Sequence, residues 1–169
     1  DMDEAIKLLR KKGMASADKK AARAANEGAV EPYIHPGAKV GVLVEVNCET
    51  DFVARGDAFK TFAHEVAMHI AAASPVWVSR EDVPQEAIAT EIEIYSEQAK
   101  QSGKPEAVIQ KIAEGKLNKW YSEVVLLEQP FVKDPDKTVD DLRRELVGKV
   151  GENIEIRRFA RFRVGDEVA

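Results

Sequence analysis

The stretch Val44-Glu45-Val46-Asn47-Cys48-Glu49-Thr50-Asp51-Phe52-Val53 decides the fold. Leading into it, Val40, Val42, Val44, Val46 and Cys48 alternate with Gly41, Leu43, Glu45 and Asn47. That period of two predicts a strand over 39–48 with one face toward a core. At Thr50 the alternation stops. Thr50-Asp51 has the chemistry of a helix start, with a hydroxyl to cap free amides and a carboxylate in the positively polarised first turn. Phe52 therefore falls on a strand-to-helix turn. A phenyl ring beside a carboxylate at such a turn has two readings: a plug in the local core, or a knob presented to a partner.

The flanks extend the pattern. Ala29 to Ile34 reads as a short strand, and its Pro32 suits a sheet edge. His35-Pro36-Gly37 is a tight connection that should make a hairpin of the two strands. Beyond Phe52, Gly56-Asp57 interrupts and restarts the helix, and Phe59, Phe62, Ala63, Val66 and Ile70 then form one apolar stripe. His64 and His69 on this helix resemble a zinc motif, but five positions separate the imidazoles by roughly 140° around the axis, so they do not converge on one metal.

Farther on, Pro75 to Val78 is an extended link and Asp82-Val83-Pro84 opens a new helix. Ile88, Ile92, Tyr95 and Ala99 form a narrow seam, Ser102-Gly103-Lys104-Pro105 turns the chain, and Ile109, Ile112 and Ala113 supply the returning face. The result is an antiparallel helical hairpin suited to projecting. Thr138 with Asp141 is a capping-box-like start, followed by Val139, Leu142, Leu146 and Val150 at helical spacing up to Gly151. A last strand over 154–164 is expected to put Ile154, Ile156, Ala160, Phe162 and Val164 on one face and Arg157, Arg161 and Arg163 on the other.

At the other end, residues 1–13 read as a helix with Ile6 and Leu9 on one face, cations Arg10, Lys11 and Lys12 in the last turn, and a stop at Gly13. Ser16 to Asn26 reads as an exposed Ala- and Lys-rich connecting helix. From Arg10 to Arg23 inclusive there are six cations and one carboxylate, either a device for steering toward an acidic partner or a solvated face.

Composition excludes whole classes of function. With 169 residues, 44% hydrophobic and 33% charged, the chain can bury one core, with at most a small appendage. No window approaches the ~18 unbroken apolar residues of a membrane span. The chain opens at Asp1 rather than Met, which points to a trimmed start. Cys48 is the only cysteine, so an internal disulfide and a cysteine zinc site are out, and a reducing compartment fits. A net charge of −5 argues against non-specific nucleic-acid binding. There is no phosphate-cradling Gly-rich motif and no nucleophile elbow. Glu49 and Asp51 beside Cys48 would dull its thiol, and no pocket accompanies the two carboxylates. Neither an enzymatic activity nor a cofactor or metal is expected.

The run from Glu45 to Ala54 closely resembles the signature of the elongation factor Ts family. Leu9-Arg10-Lys11-Lys12-Gly13, Ala67 to Ala71, Leu126 to Val132 and Gly151-Glu152-Asn153-Ile154 resemble further family blocks, in the family's order. The resemblance implies guanine nucleotide exchange on elongation factor Tu in translation. Thr50, Asp51, Phe52 and Val53 would be the partner-binding residues, with Asp51-Phe52 entering the GTPase domain and Arg10, Lys11 and Lys12 as secondary candidates. It also implies residues 1–27 as the remnant of an N-terminal helical domain, of which one helix is kept, plus a connecting helix. Residues 28–169 would be a dimerisation-type core, with 83–118 an inserted helical hairpin. The expected fold class is α+β, a three-stranded antiparallel sheet with helices on one face. Expected partners are elongation factor Tu and, alternatively, a second copy, with no membrane and no direct nucleic-acid binding. The expected compartment is the cytoplasm or, failing that, an organelle. The alternative function is an adaptor that binds elongation factor Tu or itself without efficient exchange.

Overall fold

A computed structural model describes residues 1–168. In chain order the elements are α1 (Met2–Lys20), β1 (Glu27–Ile34), β2 (Val40–Cys48), α2 (Asp51–Ala54), α3 (Asp57–Ala73), α4 (Gln85–Lys100), α5 (Glu106–Val124), β3 (Pro130–Phe131), β4 (Asp134–Thr138), α6 (Val139–Val150) and β5 (Glu155–Arg163). The chain divides into two compact units, one of residues 1–74 with 130–169 and one of 75–129.

The first unit is built on an antiparallel sheet of order β1-β2-β5. Its hairpin is in register from Glu27 opposite Cys48 to Ile34 opposite Gly41, and β1, with Pro32, takes an edge. Val42, Val44, Val46 and Cys48 are buried, as alternation requires. The stripe Phe59, Phe62, Ala63, Val66 and Ile70 of α3 is buried on the same face. The α+β class expected from the sequence is the class observed, with helices packed against the three-stranded sheet.

Two expectations fail, each through a contact between residues distant in sequence. Gly13 does not end the first helix, which runs on to Lys20. It is instead where α1 crosses α6: a Cβ added to Gly148 would lie 3.0 Å from the Gly13 Cα. The two glycines let the helix backbones approach, and Arg144–Asp18 (3.2 Å) and Arg10–Glu145 (3.8 Å) flank the crossing. The exposed connecting helix expected over Ser16–Asn26 is accordingly the second half of α1 up to Lys20, and its Ala17 is buried.

The second failure is the face of the last strand. Glu45 pairs with Arg158 but Val46 pairs with Ile156, so Arg157 is an extra residue and the side-chain parity flips there. Ile154 and Ile156 face the core, whereas Phe162 and Val164 are exposed on the opposite face. Arg161, expected outward, points to α3, where its Nε and Nη2 donate to the Ala71 carbonyl at 3.3 and 2.9 Å. The α6 cap is as expected: Asp141 N donates to Thr138 Oγ1 (3.1 Å), Thr138 N donates to Asp141 Oδ2 (2.9 Å), and Gly151 at φ +75° closes the helix.

His69 is fully buried, accepts from Val132 N through Nδ1 (3.2 Å) and stacks on Phe131, tying α3 to the β3–β4 hairpin. His64 sits apart, beside Glu31 (3.3 Å).

The second unit is organised by Trp77, which bridges to Val125, and by the helical pair α4 and α5. Val83, Tyr121 and Val125 form its small core under Trp77, Ile88 and Trp120. Arg80 lies over the Tyr121 ring at 4.1 Å and holds the Glu128 carboxylate. The seam toward the hairpin tip is thin: Ala99 and Ala113 are buried, while Ile92, expected on the seam, is 42% exposed.

Candidate partner-binding site

The strand β2 delivers its last residue, Cys48, into the core, and the chain leaves the sheet within two residues. Thr50 then caps α2 in extended geometry, its Oγ1 accepting from Val53 N at 3.3 Å. A four-residue helix has too few hydrogen bonds to hold itself, so its position depends on what grips it. Val53 and Ala54 face inward and are buried. Phe52 faces outward and is 82% exposed. Asp51, also exposed, pairs with Arg55 at 2.9 Å.

The grip comes from the α6–β5 corner. One carboxylate, Glu152, accepts from Glu49 N (3.0 Å), Thr50 N (3.0 Å) and Thr50 Oγ1 (2.7 Å). The favour is returned in reverse: Asn153 N donates to Glu49 Oε1 (2.9 Å). Asn153 Nδ2 donates to the Arg23 carbonyl (2.8 Å), and Arg23 lies 3.6 Å from Glu49, which brings in the segment just after α1. Beneath the turn, Cys48 Sγ donates to the Thr50 carbonyl (3.2 Å). Burial, helped by the Glu152 carboxylate, pushes the Cys48 thiol up to about 11, so it is not a nucleophile.

Around Phe52 the surface is grooved. A cleft of about 600 Å³ runs from Phe52 and Arg55 to Lys149 and Val150. A second, of about 420 Å³, lies between α3 and α6 with Phe62 and Leu146 in its walls. A third, of about 750 Å³, lies between α1 and α6 and carries Ile6, Leu9, Arg10 and Lys12. Lys149 lines all three, so the clefts beside Phe52 and beside Arg10 and Lys12 share a wall. Lys11 is exposed but lines none of these clefts.

Of the sequence candidates, then, Asp51 and Phe52 are displayed, Thr50 is their cap, and Val53 is an inward anchor. Arg10 and Lys12 line the cleft that shares a wall with the one beside Phe52. Sequence reasoning missed Lys149, Glu145 and the role of Glu152. The only available signal for the last was its place in the Gly151 to Ile154 block. Among the described residues no cluster of histidine, cysteine and carboxylate side chains has the geometry to hold a metal ion. No described helix is long and apolar enough to cross a membrane.

The arrangement displays an exposed aromatic ring and an exposed carboxylate side by side on a turn whose backbone is hydrogen-bonded from the α6–β5 corner. The family model for elongation factor Ts matches residues 14–145. The chain is 59% identical over 166 residues to elongation factor Ts of Geobacter sulfurreducens, spanning 98% of this chain and 77% of that protein. It is also 59% identical over 169 residues to that of Carboxydothermus hydrogenoformans, spanning all of this chain and 78% of that one. Against elongation factor Ts of Koribacter versatilis the identity is 58% over 166 residues. The chain belongs to the elongation factor Ts family, and its role lies in translation elongation.

Proposed function

We propose that this chain promotes GDP release from elongation factor Tu by inserting Asp51 and Phe52 into the GTPase domain. The observation that carries the reading is the exposure of Phe52, 82%, on a turn whose backbone is gripped from both sides. An aromatic side chain left in water adds nothing to this chain's own core. Seated in an apolar pocket between partner helices, it is the kind of anchor that dominates an interface. The Asp51 carboxylate would follow it in and disturb the water and Mg²⁺ network that holds GDP. Exchange then consists of stabilising a partner conformation with a weakened nucleotide site, and no covalent bond is made or broken. Arg10, Lys12 and the α1–α6 cleft would extend the contact. No cofactor is required, and the setting is the translating cytoplasm.

The test is release of labelled GDP from elongation factor Tu with and without this chain. Acceleration that Asp51→Ala reduces more than it reduces complex formation supports exchange. Binding without acceleration supports the adaptor.

One observation favours self-association as a second role. The outer face of the sheet carries Val30, Ile34, Leu43, Phe162 and Val164, all more than half exposed, with Phe162 at 74%. Ile34 and Phe162 flank Gly41 in one row, and Pro32, Leu43 and Ala160 form the next. A row-on-row apolar face of this kind fits a second copy of itself. Sedimentation of the wild type against Phe162→Glu distinguishes the cases: a dimer lost in the variant supports pairing, and a monomeric wild type refutes it.

A further inference from the structure

We infer that Glu152 is the positioning residue of the Asp51–Phe52 knob, and this rests on the exchange reading above. The geometry is specific. Both carboxylate oxygens are engaged, Oε1 by the Glu49 and Thr50 amides and Oε2 by the Thr50 hydroxyl. Those two amides precede α2 and have no intrahelical acceptor, and a charged acceptor satisfies both at once. The Thr50 hydroxyl that donates to Glu152 also receives Val53 N, so the carboxylate sets the rotamer of the cap and, through it, the pitch of the turn. Phe52 has no burial of its own to fix it, so its place in space is inherited from Thr50. The neighbouring Asn153 holds Glu49 and the segment after α1. A single corner therefore sets the knob relative to the helix bearing Arg10 and Lys12.

Glu152 lies across more than a hundred residues of chain from Thr50, and it touches no partner in this reading. Its effect on exchange is expected to pass entirely through Asp51–Phe52. The experiment measures stimulated GDP release from elongation factor Tu across a full concentration range for the wild type, Glu152→Ala, Glu152→Gln, Phe52→Ala and both double variants. Loss of charge-assisted hydrogen bonds and a misplaced knob predict about a tenfold lower release rate at saturation for Glu152→Ala. Glu152→Gln keeps an acceptor oxygen for the amides and should fall between the wild type and Glu152→Ala. On the Phe52→Ala background, replacing Glu152 should change the rate less than twofold, because the residue it positions is gone. Equal losses on both backgrounds, or a Glu152→Ala rate within twofold of wild type, would overturn the assignment. Amide hydrogen exchange of the free chain tests the clasp separately: Glu49 and Thr50 should exchange at least about tenfold faster in Glu152→Ala, which removes the acceptor, while the α3 amides stay protected. If the wild type does not stimulate release, the exchange reading fails, and the hydrogen-exchange result still decides whether Glu152 holds the turn. Unchanged Glu49 and Thr50 amides would refute it.

Discussion

Phe52 and Phe59 stand seven residues apart, each in the first turn of a helix that follows the same strand, and their fates are opposite. Phe59 is fully buried at the head of the α3 stripe. Phe52 is among the most exposed large apolar residues of the protein. The difference does not come from the side chain, which is the same. It comes from what grips each helix. The α3 helix is held by its own apolar face on the sheet, so its aromatic ring is part of the grip. The α2 turn is held by backbone hydrogen bonds to Glu152 and by Val53 and Ala54 beneath it, which leaves its ring free to face outward. A side chain that the fold does not need, held on a backbone that the fold holds tightly, is available for a partner.

Phe59→Ala should cost about 3–5 kcal/mol of stability, read by chemical denaturation, because it empties a core site. Phe52→Ala should move stability by less than about 0.5 kcal/mol while removing about 2 kcal/mol or more of binding to elongation factor Tu, read by calorimetry. If the two variants destabilise equally, the contrast between the rings is lost.

Cys48 supplies a smaller, pH-dependent effect. Its thiol is held near 11 in the folded chain against an ordinary 9.0, so the folded state keeps a proton that the unfolded state releases. Stability should therefore be full below about pH 9 and decline as pH rises toward 11, and that part of the slope should vanish in Cys48→Ala, with exchange activity retained. Alkylation of the native thiol at neutral pH should be slow until the protein unfolds, and fast labelling would contradict the burial argument.

The smallest effect on the first unit is expected from its insertion. Replacing residues 84–117 by a short Gly/Ser link should leave a cooperative melt, since the seam of α4 and α5 is thin and the sheet lies wholly in the other unit. Loss of the melt would show that the hairpin is part of the core.

What the sequence disclosed follows a physical line. Alternation over 40–48 and the α3 stripe are local patterns enforced by burial, and both were readable. The flip in β5 was not, because one extra residue, Arg157, is invisible in a strand whose arginines and apolar residues fit either parity. Nor was the continuation of α1: Gly13 has the appearance of a stop, and only Gly148, brought near by folding, shows it to be a crossing point. At the turn, the helix cap was legible at Thr50, but the choice between plug and knob at Phe52 needed the exposure of the ring. Lys149 and Glu152 come to the turn and its clefts only by proximity across the fold, which no local pattern records.

If the knob stabilises a partner state with weakened GDP affinity, binding of this chain and binding of GDP are linked and must oppose each other. Elongation factor Tu is titrated with this chain in the presence and absence of GDP·Mg²⁺. The account predicts that GDP weakens binding of the chain by the same factor by which the chain weakens binding of GDP, and that Phe52→Ala and Asp51→Ala both shrink that factor. Equal affinity for this chain with and without GDP·Mg²⁺ would contradict it.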